Sequence, residues 1–376
     1  MKIDTLSYDG AWRTLERAIA CGEDASLVLV FGDSDSLVPG IPLAEIRRLY
    51  PNAFVVGASS AGNIQGVEVS QAPYIATAVQ FEKGHIEVAS VDYQLEDSVE
   101  ELSRALIAKL PAQGLKHAFV LSDGLKINGS DLVRGLNSSS QHLPITGGMA
   151  GDGDRFEKTW VICGDSVKDQ RVVAIGFYGE DFVISHGCFA GWSDFGAYRT
   201  ITRSQGNVLF ELDGVPALDL YKKYLGDYAP DLPNSGMRFP LSIREHEDAP
   251  EVIRTLLAID EDQRSITFAG DVPVGYTARL MQPDIDILID GAEKAAQEID
   301  NIGDAPALGL VVSCTGRKIV LSELVEEELE IIGETLGSHV QLTGFYSYGE
   351  IAPFSDAPLS CQLHNQTMTL TGIYEK

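Results

Sequence analysis

Three segments of this 376-residue chain repeat one order of residues, and that repeat limits the fold more than any other feature. The first reads "LVLVFGDSDS", "PLAEIRRLY", "FVVGASSAG". The second reads "HAFVLSDGLKING", "DLVRGL", "PITGGMAG", and the third "LGLVVSCTGRK", "SELVEEELEIIGETLG", "VQLTGFYSYGE". Each is an apolar β-branched run, a Gly/Ser/Asp turn, a helical stretch and a second apolar run ending in glycine. That is the order of a βαβ unit, whose parallel strands need a crossover of about a dozen residues or more. A right-handed crossover leaves both strand carboxyl ends on one sheet edge, where open α/β sheets bind ligands. The turns at 57–62, 147–151 and 344–349 fall on that edge.

The expected fold is therefore α/β, with repeated βαβ units extended by antiparallel hairpins in a two-part architecture. The hairpins are "YIATAVQF–EKG–HIEVASV", "VVAIGFYGEDFVISHG" and "TLLAIDEDQRSITFAG". Ser98 and Glu101 form a capping box before the stripe Val99, Leu102, Leu106. "PDIDILIDGAEKAAQEI" reads as a helix, and "ELVEEELE" as the solvated side of one. The N-terminus predicts an amphipathic helix with Trp12, Leu15 and Ile19 on one face, between Asp9 and Gly22. A Gly-rich polar stretch at 195–205 reads as the linker between parts spanning 1–200 and 201–376.

A net charge of −27 argues against nucleic-acid binding and against anionic membrane surfaces. Five scattered cysteines with no CxxC pair fit a reducing compartment rather than a disulfide framework or a zinc site. Neither a signal peptide nor a run of roughly 20 apolar residues is present, so a cytoplasmic location is expected.

The chemistry of the turns excludes several classes. A phosphate loop needs Lys and Ser/Thr after its last glycine, whereas Asn63 and Ile64 follow Gly62, and Glu350 and Ile351 follow Gly349. No strand leads into GxGxxG. A serine hydrolase using Ser59 or Ser60 lacks the GxSxG elbow, since "GASSAG" is one residue too long. Asp152, Asp154, His142 and His186 lack the remaining ligands of a metal loop, so no metal is expected. "GFYSYGEIAPF" sets Tyr346, Tyr348 and Glu350 at alternate positions, which on an extended strand share one side. Aromatic faces with a carboxylate suit an amine or amidine. The same spacing also fits a tyrosine-lined core with a surface glutamate.

"GFYSYGEIAP" followed by "CQLHNQTMTLTGI" resembles the C-terminal signature of the FIST domain (F-box and intracellular signal transduction). "VVGASSAGNI", "LSDGLKING", "ITGGMAGD", "LDGVPALDLYKKYLG" and "FAGDVPVGYTARLM" resemble further blocks of that family, in order, over about residues 25–374. Ala58 stands where the family commonly has cysteine, and Asn63 where it has an acid.

The resemblance implies a free-standing sensor. It would bind a small, amino acid-like ligand and regulate a separate histidine kinase or cyclic-nucleotide enzyme, without catalytic residues. The ligand-binding candidates are Ser59, Ser60, Ala61, Gly62, Gly148, Tyr346, Tyr348, Glu350, His364 and Asn365. A bacterial NosP-type subgroup implies an alternative, a haem-binding nitric-oxide sensor, for which His186 is the candidate axial ligand. A hydrolase using Ser59 or Ser60 is the third reading.

Overall fold

The apolar runs of the three repeats pair in parallel as their pattern requires. The computed structural model describes residues 1–15, 20–36, 43–140, 142–300, 303, 305–354 and 357–376. A first unit contains β1 (Lys2–Tyr8), β2 (Trp12–Thr14), β3 (Leu27–Gly32), α1 (Leu43–Leu49), β4 (Phe54–Ser59), β5 (Asn63–Gln65), β6 (Glu68–Ser70) and β7 (Tyr74–Gln80). A second contains β8 (His85–Asp92), α2 (Val99–Ala108), β9 (Leu115–Ser122), α3 (Gly129–Ser139), β10 (Ile145–Met149), β11 (Val161–Cys163), β12 (Ser166–Lys168) and β13 (Arg171–Tyr178).

The third unit begins with β14 (Phe182–Phe189) and is interrupted by an insert. The insert comprises β15 (Ser193–Gln205), β16 (Val208–Leu212), β17 (Val215–Pro216), α4 (Ala217–Leu225), β18 (Leu241–Arg244), β19 (Val252–Arg254), β20 (Leu256–Asp260), β21 (Ser265–Phe268) and β22 (Thr277–Gln282). The unit resumes with α5 (Ile285–Gln297), β23 (Ala307–Cys314), α6 (Thr315–Leu321), α7 (Glu327–Leu336), β24 (Val340–Ser347), β25 (Gly349–Phe354), β26 (Ala357–His364) and β27 (Met368–Glu375).

β3–β4, β9–β10 and β23–β24 are the three parallel pairs. Around each pair the sheet has one order: β12-β11-β4-β3-β7-β1-β2, then β26-β25-β10-β9-β13-β8, then β6-β5-β24-β23-β27-β14. The outer hairpin of each sheet belongs to a different unit. β5–β6 of the first unit completes the third sheet, β11–β12 of the second completes the first, and β25–β26 of the third completes the second. The units are thus exchanged in a closed cycle.

Three backbone hydrogen bonds at the strand ends repeat that cycle. Ala61 donates to Tyr346 O at 2.9 Å, Gly151 to Ser59 O at 3.1 Å, and Tyr348 to Met149 O at 3.1 Å. Close approach of the parallel strands explains the glycine in each second run. A Cβ on Gly57, Gly147 or Gly344 would lie 1.8, 1.9 or 1.8 Å from the carbonyl oxygen of Val30, Val120 or Val311.

Both faces of each sheet are covered. The inner faces share one core, where Phe31 stacks on Phe345 at 4.8 Å and Leu121, Val312 and Val56 join them. Outside, α1, the pair α2–α3 and the pair α5–α7 cover one sheet each. The insert has a core of its own, around Tyr221, Leu256 and Phe268. The fold is α/β with repeated βαβ units, antiparallel extensions and two parts, and the cyclic exchange of hairpins is added to that plan.

Local readings failed where the exchange intervened. The strands at Tyr74–Gln80 and His85–Asp92 are not a hairpin. β7 pairs with β1 and β3, whereas β8 pairs with β13 in the next sheet. β13 and β14 part in the same way, β14 joining β27. Their turns are held by packing instead: Phe81, Phe177 and Phe182 meet edge to face, and the Glu375 carboxylate accepts from the amides of Glu82, Lys83 and Gly84. Only "TLLAIDEDQRSITFAG" pairs with itself, as β20–β21.

Within the stretch expected as an N-terminal helix, Trp12–Thr14 is instead β2, which pairs with β1, and Trp12 packs on Tyr8 and Tyr74. Ile19 lies outside the described residues. The stretch at 195–205 belongs to β15. The Ser98 cap forms, accepting from Glu101 N at 3.3 Å. Glu328, expected at a solvated face, is fully buried beside Arg317 at 2.9 Å.

Alanine at Gly57, Gly147 or Gly344 should each cost at least ~3 kcal/mol, the upper end of ordinary overpacking, because the obstacle is backbone and no rotamer relieves it. Urea unfolding measures this, and wild-type midpoints for all three variants would contradict the strand register.

Candidate functional site

Two buried carboxylates shape the strand-end loops of the second unit. Asp123, directly after β9, accepts from Leu125 N at 2.9 Å and Lys126 N at 3.1 Å. It also accepts from Thr159 Oγ1 at 3.1 Å and from the Tyr93 hydroxyl. This is an aspartate turn of the kind an "SDG" sequence favours. Asp152 accepts from the amides of Phe156, Glu157 and Lys158 at 3.0, 2.8 and 2.7 Å, and from the Tyr348 hydroxyl. That clamp holds Phe156 at φ 54°, a conformation uncommon for a bulky residue, and Phe156 stacks on Tyr348 at 4.6 Å.

The two loops form one side of a cavity of about 300 Å³. Residues 124–129 and Phe156 come from the second unit, 314–316 with 347–348 from the third, and Asn207, Met237, Thr255, Leu257 and 268–270 from the insert. Its wall is mainly apolar, through Met149, Phe268 and Leu363, with a few polar groups at Lys126, Asn128, Thr315 and Tyr348. Among the described residues no Asp or Glu lines it. Small-molecule sites have this make-up.

The insert is fixed over the cavity by polar contacts. Asn128 caps α3, its Oδ1 accepting from Ser130 N, while its Nδ2 donates to Asp271 of the insert at 3.2 Å. Arg134 donates to Asp271 at 2.8 Å, and Ser130 Oγ accepts from Asp271 N. Arg254 of the insert donates to Asp271 O and Leu363 O, both at 3.0 Å. Burial lowers Arg254 to about 10, so it stays charged at neutral pH among carbonyl acceptors.

The expected site residues divide sharply. Tyr348 lines the cavity. Tyr346 and Glu350 do not join it there, because β24 ends at Ser347 and β25 begins at Gly349 in another sheet. Alternation along one strand therefore does not apply. The Tyr346 hydroxyl donates to Glu328 at 2.8 Å. Glu350 is fully buried rather than at the surface, accepting from Ser347 Oγ at 2.5 Å and from Thr367 N and Oγ1.

Ser59 Oγ accepts from Trp160 N, and Ser60 Oγ from Gly62 N, both at 2.9 Å. Ala61 O accepts from Lys318 Nζ at 2.6 Å, and that amine fills the space beside Gly62. Gly148 faces Val312 and Phe345 in the central core. His364 is buried with Nε2 3.0 Å from Ala352 O and borders a separate cavity of about 600 Å³ under α5; Asn365 Nδ2 donates to His364 O. The bond from Ala61 N to Tyr346 O makes "VVGASSAGNI" and "GFYSYGEIAP" directly hydrogen-bonded neighbours. Asp123, Asn128 and Thr255 were missed, with the "SDG" turn as their one local signal, and Asp152, weighed above only as a metal ligand, is a loop clamp.

The haem and hydrolase readings fit these residues poorly. His186 lies mid-strand in β14 opposite Thr371 and lines neither the 300 Å³ cavity nor the one under α5. An axial imidazole must face such a cavity. The two serine hydroxyls are each engaged by a backbone amide, not by a base, as a nucleophile requires. No cluster of three or more metal-ligating side chains occurs among the described residues. Among them, no helix is long and apolar enough to cross a membrane.

Burial sets the pH response. Glu350 is pushed up to about 8 by burial, only partly offset by Ser347 and Thr367. From about pH 4.5 to 8 the native state keeps a proton that the unfolded chain has lost, so stability falls as pH rises. His364 and His117, lowered to about 4 and 3 by burial, act oppositely. The unfolded chain protonates them below about pH 6.5, so their contribution is lost as pH falls. From about pH 6.5 to 8 the Glu350 slope therefore stands without theirs. Melting temperature should decline over that window in the wild type and stay flat in Glu350→Gln; equal slopes would mean that Glu350 is ionised in the native state.

Comparisons with known proteins agree with the sequence blocks. The FIST N domain family matches residues 26–215, and the FIST C domain family residues 217–353. An uncharacterized protein of Methanocaldococcus jannaschii, MJ1623, is 23% identical over 346 residues, covering 81% of this chain. The chain spans 65% of that relative's length. The crystal structure of the cyanuric acid hydrolase from A. caulinodans resembles 95% of this chain and 92% of its own, with 10% identity and a TM-score of 0.34.

Proposed function

The chain belongs to the FIST family, and on that premise we propose that it is a cytoplasmic sensor of an amino acid-like metabolite, acting on a separate signalling enzyme such as a histidine kinase or a cyclase. Domains of this family are sensory, small-ligand-binding parts of signalling proteins. The observation that carries the finer reading is the 300 Å³ cavity where strand-end loops of two units meet the insert. Its volume suits a molecule of amino-acid size, and its mostly apolar wall with sparse polar groups gives both burial and orientation.

The cavity's position supplies a route to an output. A ligand touching both the units and the insert favours whichever insert position makes both sets of contacts. The anchors Asp271 and Arg254 are chain neighbours of Gly270 and Thr255, which line the cavity, so a change in insert position is felt there first. The partner enzyme would read the insert's outer surface.

Thermal unfolding in the presence of the free L-amino acids and their N-acetyl amides tests this. A ligand at about 100 times its dissociation constant adds ~2.7 kcal/mol, a rise of several degrees. Leu125→Trp places a large side chain at the cavity wall and should abolish the rise while leaving the apo protein folded. If neither the amino acids nor their N-acetyl amides shift melting, or if Leu125→Trp responds like the wild type, this cavity is not the sensor site.

A further inference from the structure

Thr255 stands apart from the other polar groups of the cavity. It is 7% exposed and lines the space from the insert side, yet its Oγ1 has no hydrogen-bond partner. Its neighbours are satisfied. Asn207 Nδ2 donates to Phe268 O, Thr315 Oγ1 donates to Ser347 O, and Lys126 Nζ is paired with Asp169 at 2.5 Å. A buried hydroxyl is normally bonded, and an orphan calls for a reason. Thr255 is held at its backbone, where its carbonyl accepts from Ala269 N at 2.8 Å. Rotation about χ1 alone then decides whether the methyl or the hydroxyl meets the cavity.

We propose that Thr255 is the residue by which the insert recognises the ligand, its hydroxyl bonding an uncharged polar group such as an amide, carbonyl or hydroxyl. This rests on the reading of the cavity as the sensor site and specifies the ligand chemistry there. The group is uncharged because no carboxylate lines the cavity among the described residues to receive an ammonium, and an unpaired buried charge is strongly disfavoured. An apolar body lies against Met149, Phe268 and Leu363, and the polar group crosses to Thr255. Molecules of the same shape without that group would leave the hydroxyl unpaired and bind less well.

Calorimetric titration of wild type and Thr255→Val with free L-amino acids and their uncharged N-acetyl amides tests the proposal. Valine keeps the shape and removes the hydroxyl, so the apo variant should melt at or above the wild-type temperature, since no hydrogen bond is lost. The N-acetyl amides should bind the wild type more tightly than the free acids, and bind Thr255→Val about tenfold more weakly than the wild type. Equal affinity of both proteins for every probe that binds would overturn the role of Thr255 and leave the cavity reading standing. If no probe binds the wild type, and Leu125→Trp behaves identically, the cavity reading itself fails and the role of Thr255 with it. A marked loss of apo stability in Thr255→Val would instead assign the hydroxyl a structural role.

Discussion

Everything in this molecule hangs on three backbone hydrogen bonds that join the ends of its parallel strands in a ring. Ala61, Gly151 and Tyr348 each donate to the residue ending the second parallel strand, or next to its end, in another unit. The ring forms because each unit gives its following hairpin to a neighbour's sheet. No unit can complete its sheet alone. A buried sheet edge would leave amides and carbonyls unpaired, which is costly, and the exchanged hairpins supply their partners. The cyclic order also brings three inner sheet faces onto one shared core, where Phe31 meets Phe345.

The cycle is pseudo-symmetric in backbone but not in side chains, and the cavity follows from that difference. Between the third unit and the first, Lys318 fills the gap beside Gly62 and bonds Ala61 O. Between the second and third, Tyr348 joins the turns through Met149 O and Asp152, and the insert covers the space beside them. Asp123 and Asp152 hold the second unit's loops by gathering several donors each. Such carboxylates are the stiff supports a binding site needs, since positions on floppy loops would spread the geometry that selects a ligand. The insert has its own core and is tied to the units through Asp271 and Arg254.

Sequence reading succeeded where local order is sufficient. The βαβ grammar identified all three parallel pairs, the strand-end edge and the α5 helix, because periodicity and turn residues act within a few positions. It failed at Tyr74–Asp92 and Val172–Gly187, since an alternating strand pair joined by a short turn looks the same whether the strands pair with each other or with two different sheets. It failed at Trp12–Thr14 because pairing with β1, itself held by Tyr74–Gln80, outweighs a weak helical spacing. "GFYSYGEIAPF" misled for a related reason: the chain changes sheets at Tyr348, so Tyr346 and Glu350 turn to internal partners.

The residue order by itself determined the fold class, the family and the edge of the sheets where small residues let backbones approach. Val30 and Gly57 show how direct that link is, because only a residue without Cβ fits against the facing carbonyl. Tertiary structure alone decided which hairpin completes which sheet, where the cavity opens, and that Thr255, distant from every sequence block singled out as a site, lies on its wall. The reason is physical. Local order follows from the chain's own periodicity and sterics, whereas a site assembled across units depends on burial and hydrogen bonding between segments hundreds of residues apart, as between Thr77 and Thr343.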